Sequence, residues 1–189
     1  MKTGNNVKRI KKKKESKNAL ITFKTPLRRI LKLGKDCKKC GHCCRHGSGA
    51  LVRMELKEIA KKLNMKEEEI KEKYMEEIER FNTKLLRPKL IREEGRPYGR
   101  CIFLKPDNKC SIYDVRPLQC KISSCSEYGE QLNLWFMLNY FLNENDPESI
   151  RQYAIYIRCG GKILKGAEID NLIKDKGKLR KIIKYEILK

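Results

Sequence analysis

The 189-residue chain has little of several features that usually reveal a protein's class. It holds one Trp, two His and no apolar run near the roughly twenty residues that a membrane span requires. Its most apolar stretch, residues 132–142, includes Asn133 and Asn139, so we expect a buried helix there. P-loop, GxGxxG and HExxH motifs do not occur, which leaves no motif for nucleotide, dinucleotide or zinc-protease chemistry.

Acidic residues are scarce at the start of the chain. Residues 1–35 contain thirteen Lys or Arg against Glu15 alone, within a formal net charge of +21 for the whole chain. We predict a disordered basic tail over residues 1–18 and a single domain over residues 19–189. Such a tail is typical of a solvated arm or of an arm that contacts RNA or another acidic partner.

A secretory signal is not evident either. The basic N-terminus is followed by neither an apolar segment nor a small-residue cleavage site, which predicts a cytoplasmic protein without a membrane partner. In a reducing compartment, cysteines serve more often as metal ligands or catalytic groups than as disulfides. Disulfides stay open as an alternative, because abundant Lys, Glu and Ile with only three Gln are typical of heat-adapted proteins, some of which form disulfides inside cells.

Periodic apolar residues predict mainly helical structure. Thr25-Pro26 is typical of a helix start, and Gly34 would end that helix. The spacing of Ile70, Tyr74, Ile78 and Phe81 predicts that helical structure, broken at Asn64, runs to residue 81. Residues 84–92 look extended. Three further helices are predicted over residues 127–143, 147–158 and 168–187.

Two β-prone segments predict a hairpin. Residues 101–104 and 110–113 flank a Pro-Asp-Asn turn, and a loop over residues 105–108 would place Leu104 opposite Lys109. Cys101 and Cys110 would then lie on one face, about 7–8 Å apart at Cα. The fold class is therefore α+β and mainly helical: a small, metal-stapled cysteine-rich domain with a β-hairpin, followed by C-terminal helices.

Eight of the nine cysteines fall into two groups with the spacing of metal ligands. The first group is C-x2-C-x2-C-C, and two intervening residues let both thiolates face one ion. Nearby lysines favour the thiolate form. The candidate metal ligands are Cys37, Cys40, Cys43, Cys44, Cys101, Cys110, Cys120 and Cys125. Cys159 stands alone and is equally well explained as a free or buried thiol.

The adjacent Cys43 and Cys44 are the hardest pair to explain. Neighbouring side chains usually diverge, so either the two serve different ions or only one is a ligand. Eight thiols suit two four-thiolate sites or one polynuclear cluster. The only two histidines, His42 and His46, lie in the same stretch, but we expect them outside the ligand set because the cysteines suffice.

Zinc or iron fits such a thiolate set. Four thiolates form a closed structural zinc site. An iron–sulfur cluster is the alternative, because C-x2-C-x2-C resembles the ferredoxin run. In that run, however, the fourth cysteine comes three residues later and precedes proline, whereas here Cys44 is adjacent to Cys43 and precedes Arg45.

The motifs CKKCGHCC (37–44), CIFL (101–104), CSIY (110–113) and RPLQC (116–120) together resemble the YkgJ-type CxxCxxCC cysteine-cluster family. The resemblance covers residues 36–125 and implies a zinc- or iron-chelating domain. The ligands that it implies are Cys37, Cys40, Cys43, Cys44, Cys101, Cys110 and Cys120. This chain departs from the family at KISSC (121–125), which makes Cys125 an added or substitute ligand. Some members are named iron–sulfur oxidoreductases, but the family implies no settled reaction.

These observations predict a metal-chelating protein whose metal-binding core spans about residues 36–125, with a helical part over residues 126–189. The ion, zinc in the leading interpretation, would tie the 37–44 stretch to the 101–125 region. It would also contribute folding energy, because the two regions show no obvious shared apolar residues. The alternatives are an iron–sulfur redox protein or oxidoreductase component, and a metal-stapled RNA- or ribosome-associated protein.

Overall fold

The computed structural model describes residues 20–35, 37–123, 125 and 127–186, and it confirms a mainly helical α+β fold. The predicted basic tail, residues 1–18, lies outside the described residues.

Helix α1 begins after Pro26 and ends at Gly34, as predicted. The described helices are α1 (Leu27–Leu33), α2 (His42–His46), α3 (Glu55–Leu63), α4 (Glu67–Tyr74), α5 (Leu118–Ile122), α6 (Gly129–Tyr140), α7 (Pro147–Arg158), α8 (Ile169–Leu172) and α9 (Lys176–Ile183).

Two antiparallel pairs of strands follow α4. Strand β1 (Met75–Arg80) pairs with β2 (Thr83–Pro88), and β3 (Leu90–Arg92) pairs with β4 (Gly99–Cys101). The two residues that join β1 to β2, Phe81 and Asn82, both have positive φ angles, of 47° and 57°. A two-residue turn with this geometry matches the twist of a hairpin, so it sets the register of β1 against β2.

The prediction of a helix through residues 75–81 is wrong. Apolar residues spaced by four fit a helix, but four is also a multiple of the strand period of two, so Ile78 satisfies both patterns. Pairing decides the outcome, because β1 and β2 form an antiparallel ladder from Met75 opposite Pro88 to Arg80 opposite Thr83. The Glu76 carboxylate also accepts hydrogen bonds from Arg87 at 2.8 Å and from Arg92 at 2.9 Å. These bonds join β1 to the two following strands and need an extended backbone.

The prediction that residues 101–104 and 110–113 pair as two strands is wrong, because one isolated bridge joins them and residues Tyr113–Val115 form a 3-10 helix. We name this bridged turn the 101–110 hairpin, and its register is also shifted by one position from the prediction. Leu104 lies opposite Cys110, and the Lys105 amide donates to the Lys109 carbonyl at 2.9 Å. The loop is therefore one residue shorter, and Asn108 closes it with a φ of 63°. Asn tolerates this left-handed conformation better than most residues.

The larger apolar core lies around α6 and α7, where Trp135, Phe136, Phe141 and Tyr153 are buried. The indole N–H of Trp135 donates to the Thr25 carbonyl at 3.0 Å, which holds the segment before α1 against α6. Leu118 and Ile122 of α5 belong to the same cluster. The core consequently anchors the helix that carries Cys120.

A second apolar cluster joins α3, α4 and the segment before α3 to the 101–112 region. It brings Leu51, Ile59 and Ile70 together with Phe103 and Ile112, all of them buried. Of the 37–44 stretch only Cys44 packs against this cluster, so the expectation that the two cysteine-bearing regions share no obvious apolar seam stays a prediction. The members come from distant parts of the sequence, so only their packing in three dimensions reveals the cluster.

The C-terminal helices follow the prediction except at the end. Asp146 caps α7 by accepting a hydrogen bond from the Glu148 amide at 3.1 Å. The helix predicted over residues 168–187 is instead two helices, α8 and α9. Asp175 causes the break, because its carboxylate accepts from the Lys178 amide at 2.9 Å and starts α9.

Among the described residues, no helix has the length and apolar character needed to cross a membrane. The apolar stretch at residues 132–142 largely forms α6, and Leu132, Trp135 and Phe136 are buried in the core, as expected. The cytoplasmic location stays a prediction.

Candidate metal centre

All eight cysteines that the sequence singles out line one cavity of about 240 Å³, which we name the cysteine cavity. They come from four segments: the loop before α2, α2 itself, the 101–110 hairpin, and α5 with the residues after it. Its cysteines are Cys37, Cys40, Cys43, Cys44, Cys101, Cys110, Cys120 and Cys125. The ninth, Cys159, is exposed at the end of α7 and does not line the cavity. The tertiary structure thus brings together the two groups separated by about sixty residues.

Helix α2 carries the adjacent pair of cysteines to the cavity. Gly41 precedes α2 with a φ of 71°, a conformation that favours glycine. A Cβ atom on Gly41 would also lie 3.1 Å from the Cβ of Asn108, so the turn closely approaches the hairpin loop. The Arg45 guanidinium donates a hydrogen bond to the Asn108 side-chain oxygen. These contacts hold α2 against the 101–110 hairpin.

The segment after α2 is fastened to α5. The Ala50 amide donates to the Gln119 side-chain oxygen at 2.7 Å. A Cβ atom on Gly49 would lie 2.7 Å from the Cys120 sulfur and 2.8 Å from its amide nitrogen. Only glycine allows the backbone to come this close to α5, so Gly49 is part of the wall that positions Cys120.

The sulfur atoms of Cys43 and Cys44 lie 3.9 Å apart. The hydrogen bond between the two thiols lowers the pKa of Cys43 to about 6 against an opposing effect of burial. The same hydrogen bond, together with burial, raises the pKa of Cys44. One thiolate beside one thiol is the expected state of this pair at neutral pH.

Cys44 faces the interior of the protein. It packs against the second apolar cluster, which includes the buried Cys101, and Cys110 does the same. Its electrostatic neighbours besides Cys43 are Cys120 and Cys101. We name Cys44, Cys101, Cys110 and Cys120 the deep thiols. Burial raises the pKa of Cys101 to about 11 and that of Cys120 to about 12, so both are protonated at neutral pH.

The remaining thiols lie at the mouth of the cavity. Cys40 and Cys125 are exposed and share a hydrogen bond, and Cys37 is half-buried. Desolvation and the neighbouring Cys40 raise the pKa of Cys125. Cys43 interacts electrostatically with both Cys125 and the deep thiol Cys120, so it stands between the two groups. We name Cys37, Cys40, Cys43 and Cys125 the mouth thiols.

Arg116 supplies a positive charge to the cavity wall. Its guanidinium lies 3.9 Å from the ring centroid of Tyr113, and one of its N–H groups donates to the Tyr113 carbonyl at 2.8 Å. Its Nε is the one buried side-chain nitrogen or oxygen among the described residues that has no hydrogen-bond partner. Burial raises the pKa of Cys110, and the Arg116 charge opposes that rise.

The donor set fits a thiophilic metal, although the thiols are not gathered in ligating positions. Within residues 20–35, 37–123, 125 and 127–186, no three Cys, His, Asp or Glu side chains are close enough to hold an ion. The cavity itself has ample room, since a water molecule needs only roughly 10–15 Å³ measured in this way. Eight thiols and an unpaired buried N–H suit bound thiolates, and small side-chain rotations would be needed to reach a metal.

The histidines lie outside this arrangement. His42 and His46 are both exposed, and neither lines the cysteine cavity. The expectation that the cysteines suffice without them stays a prediction. Sequence reasoning missed the positioning roles of Gly49, Asn108 and Gln119, because the contacts that define them join residues distant along the chain.

Comparison with known proteins places these residues in a wider context. Residues 36–148 match the family model CxxCxxCC, described as "Putative zinc- or iron-chelating domain". "Uncharacterized protein MJ0661" of Methanocaldococcus jannaschii is 32% identical over 114 residues, which cover 60% of this chain and 55% of that protein. The chain therefore spans about half the length of this curated relative. No solved structure matches the chain.

Proposed function

This chain belongs to the CxxCxxCC family of zinc- or iron-chelating domains, and from that membership we propose that the cysteine cavity binds zinc. The observation that carries the proposal is the convergence of eight thiols from four segments on one cavity. A zinc ion held by four thiolates supplies no redox chemistry and acts as a structural crosslink. Here it would join α2 to the 101–125 region.

Two zinc sites account for the adjacent cysteines. The four deep thiols would hold one ion, and the four mouth thiols would hold the other. Cys44 faces the apolar cluster while Cys43 lies nearer the mouth, so the neighbouring side chains serve different ions. Each set of four suits the tetrahedral coordination that zinc prefers.

Arg116 and the Cys43 thiolate prepare the cavity for the metal. Binding converts several neutral thiols to thiolates and releases their protons, so affinity falls as the pH is lowered. The buried charge of Arg116 offsets part of the negative charge that builds up, and its unpaired Nε–H can donate to a thiolate sulfur. Tyr113 holds the guanidinium in place through the ring contact and its carbonyl.

An iron–sulfur cluster is the second candidate, and the volume of the cavity favours it. About 240 Å³ exceeds the space that two ions enclosed by their ligands require, whereas a polynuclear cluster brings atoms of its own. Cysteine thiolates are the usual ligands of such clusters. In this case the deep and mouth thiols would surround one group and would not form separate sites.

Anaerobic purification without added metal, followed by metal quantification and absorption spectroscopy, separates the two candidates. Colourless protein that contains two equivalents of zinc supports the zinc proposal. Brown protein with iron, inorganic sulfide and visible absorption supports the cluster. Protein that contains neither metal and takes up neither on reconstitution would sink both.

Matched cysteine variants test the division into deep and mouth thiols. Cys120→Ser should remove only the deep ion, and Cys40→Ser should remove only the mouth ion, so each variant keeps about one equivalent. Cys159→Ser is the control and should retain the full content, because Cys159 lies outside the cavity. Loss of all metal in both single variants would indicate one polynuclear group.

A further inference from the structure

A second cavity, of about 300 Å³, lies between α2 and the β3–β4 hairpin. We name it the arginine cleft, and the residues used to define it are Arg45, His46, Arg92, Arg96, Tyr98 and Arg100. Glu93 is the one carboxylate among the described residues that line it. The cleft is therefore strongly positive, and the metal-binding proposal does not explain its charge.

The four arginines differ in how far their charge is already offset. Arg92 is committed to structure, because its guanidinium donates to both oxygens of the Glu76 carboxylate, at 2.9 and 2.6 Å. Arg45 donates to the amide oxygen of Asn108, and Arg100 donates to the Leu104 carbonyl at 2.7 Å. These acceptors are neutral and each uses one of five guanidinium N–H groups, so charge and donors remain for an anion.

Arg96 is paired, but only at the surface. Its guanidinium lies 2.8 Å from Glu93, and both side chains are more than half exposed. An exposed ion pair of this kind is weak, so a phosphate group that offers bidentate acceptors can displace it. Three arginines from two elements are thus available to one anionic group.

The cleft also presents aromatic and apolar surface to solvent. Tyr98 is 46% exposed and Ile91 is 48% exposed, so an aromatic ring and an apolar side chain are both accessible in the cleft. The Arg96 guanidinium lies 5.9 Å from the Tyr98 ring centroid, and the His46 ring lies 6.0 Å from it. An exposed ring among arginines is the combination that single-stranded nucleic acids use, with bases stacked on the ring and phosphates on the cations.

We propose that the arginine cleft binds one nucleotide unit of a single-stranded RNA. The phosphate contacts Arg45, Arg96 and Arg100, and the base stacks on Tyr98. The volume of the cleft is at the lower end of the range for small-ligand sites, which suits a single nucleotide. Stacking on a ring and contacts to a phosphate do not read the base, so binding should depend little on the sequence of the RNA.

The test is fluorescence anisotropy of a short, fluorescein-labelled single-stranded RNA with the full-length, metal-loaded protein. Tyr98→Ala should weaken binding about tenfold, and Tyr98→Phe should bind like the native protein because the stacking ring is kept. Arg96→Gln should weaken binding about threefold and lower the dependence on salt. Equal binding by Tyr98→Ala and the native protein would overturn the proposal.

Arg158→Gln is the matched control for charge. Arg158 is exposed at the end of α7 and does not line the arginine cleft, so its loss should leave the affinity within about twofold. A decrease as large as that of Arg96→Gln would mean that net charge, including that of residues 1–18, explains binding. Replacing Lys11, Lys12, Lys13 and Lys14 by Gln measures the share of that segment, and Tyr98→Ala should still weaken what remains.

Competitors identify the ligand. Double-stranded RNA of the same length should bind less tightly, because its bases are not free to stack on Tyr98. Displacement of the RNA by micromolar adenosine monophosphate would mark a free nucleotide as the ligand and overturn the RNA assignment. Zinc content is measured on every variant. If the metal-loaded native protein does not bind RNA, the RNA proposal is contradicted and the metal proposal is unaffected.

Discussion

Helices α6 and α2 are held in place by different means. Helix α6 runs for twelve residues and buries large side chains such as Trp135 and Phe136 in the main core. Helix α2 has five residues, and none of them is buried. A helix this short is not stable by itself, so its position depends on the flanking turns and on what its cysteines bind. The protein therefore combines a packed scaffold with a cysteine cavity that one short, unburied helix helps to form.

Truncating the scaffold should have the largest effect on stability. Phe136 is fully buried in α6, so Phe136→Ala loses apolar contacts and leaves a cavity. We expect the free energy of unfolding to fall by about 3–5 kcal/mol. Denaturant unfolding measures the change.

Ile155→Ala is the companion variant for that measurement. Ile155 lies in the neighbouring α7 and is 45% exposed, so its truncation should cost well under half as much. Comparable losses in the two variants would mean that α6 is not the principal anchor of the fold.

Alkaline pH should destabilise the metal-free protein through the deep thiols. Burial raises the pKa of Cys101 from 9.0 to about 11. Between these values the unfolded chain releases the proton while the folded protein retains it, so stability present below pH 9 is lost as the pH rises towards 11. Cys101 should account for about 2–3 kcal/mol of that loss.

Thermal unfolding of the metal-free protein at about pH 8 and about pH 10.5 checks this expectation. These values lie on either side of the ordinary cysteine pKa of 9.0. Cys101→Ser should lose less stability over the interval than the native protein, because serine does not titrate there. Cys159→Ser should lose as much as the native protein. An unchanged loss in Cys101→Ser would show that its thiol is not shielded from solvent.

Gly47 and Gly49 both lie within three residues of the end of α2, but substitution by alanine should affect protein stability only at Gly49. Gly49→Ala places a methyl group against the Cys120 sulfur and should cost about 1–3 kcal/mol, with lower zinc content. Gly47→Ala meets no atom within 4 Å of the added Cβ and should be tolerated. Unfolding curves and metal analysis of both variants, made side by side, provide the measurement. Full zinc content in Gly49→Ala would show that α5 can move away from this segment.

Metal removal should have the most local effect. Chelation is expected to increase hydrogen exchange at the amides of α2, whose opening costs little without bound metal. Amides in α6 should stay protected, because the main core and the second apolar cluster remain packed. Mass spectrometry of deuterium uptake with and without chelator shows the difference. Complete loss of protection in α6 would mean that the metal stabilises the whole fold.

Local signals in the sequence predicted part of this architecture well. Pro26 and Gly34 mark the ends of α1, and Asp146 caps α7 as its position before proline predicts. The cysteine spacing singled out the eight residues that line one cavity. In each case the information lies within a few neighbouring residues, which is why it can be read without the fold.

Other features depended on distant contacts. Residues 75–80 form a strand because they pair with residues 83–88, and no local pattern distinguishes that outcome from a helix. The hairpin register follows from Asn108, which the predicted loop over residues 105–108 included but without its left-handed conformation. The second apolar cluster, which contains Leu51 and Phe103, could not be predicted either, because its members come from distant parts of the chain.

The sequence by itself determined the chemical groups of this protein: thiols at metal-binding spacing, an excess of basic residues and a mainly helical chain. Only the tertiary structure decided where those groups meet. It turned Cys44 towards the interior and left Cys43 nearer the mouth, because α2 lies against the hairpin on one side and is open on the other. It also placed Arg45 beside Arg96 and Arg100, which the chain keeps about fifty residues apart and only packing brings together.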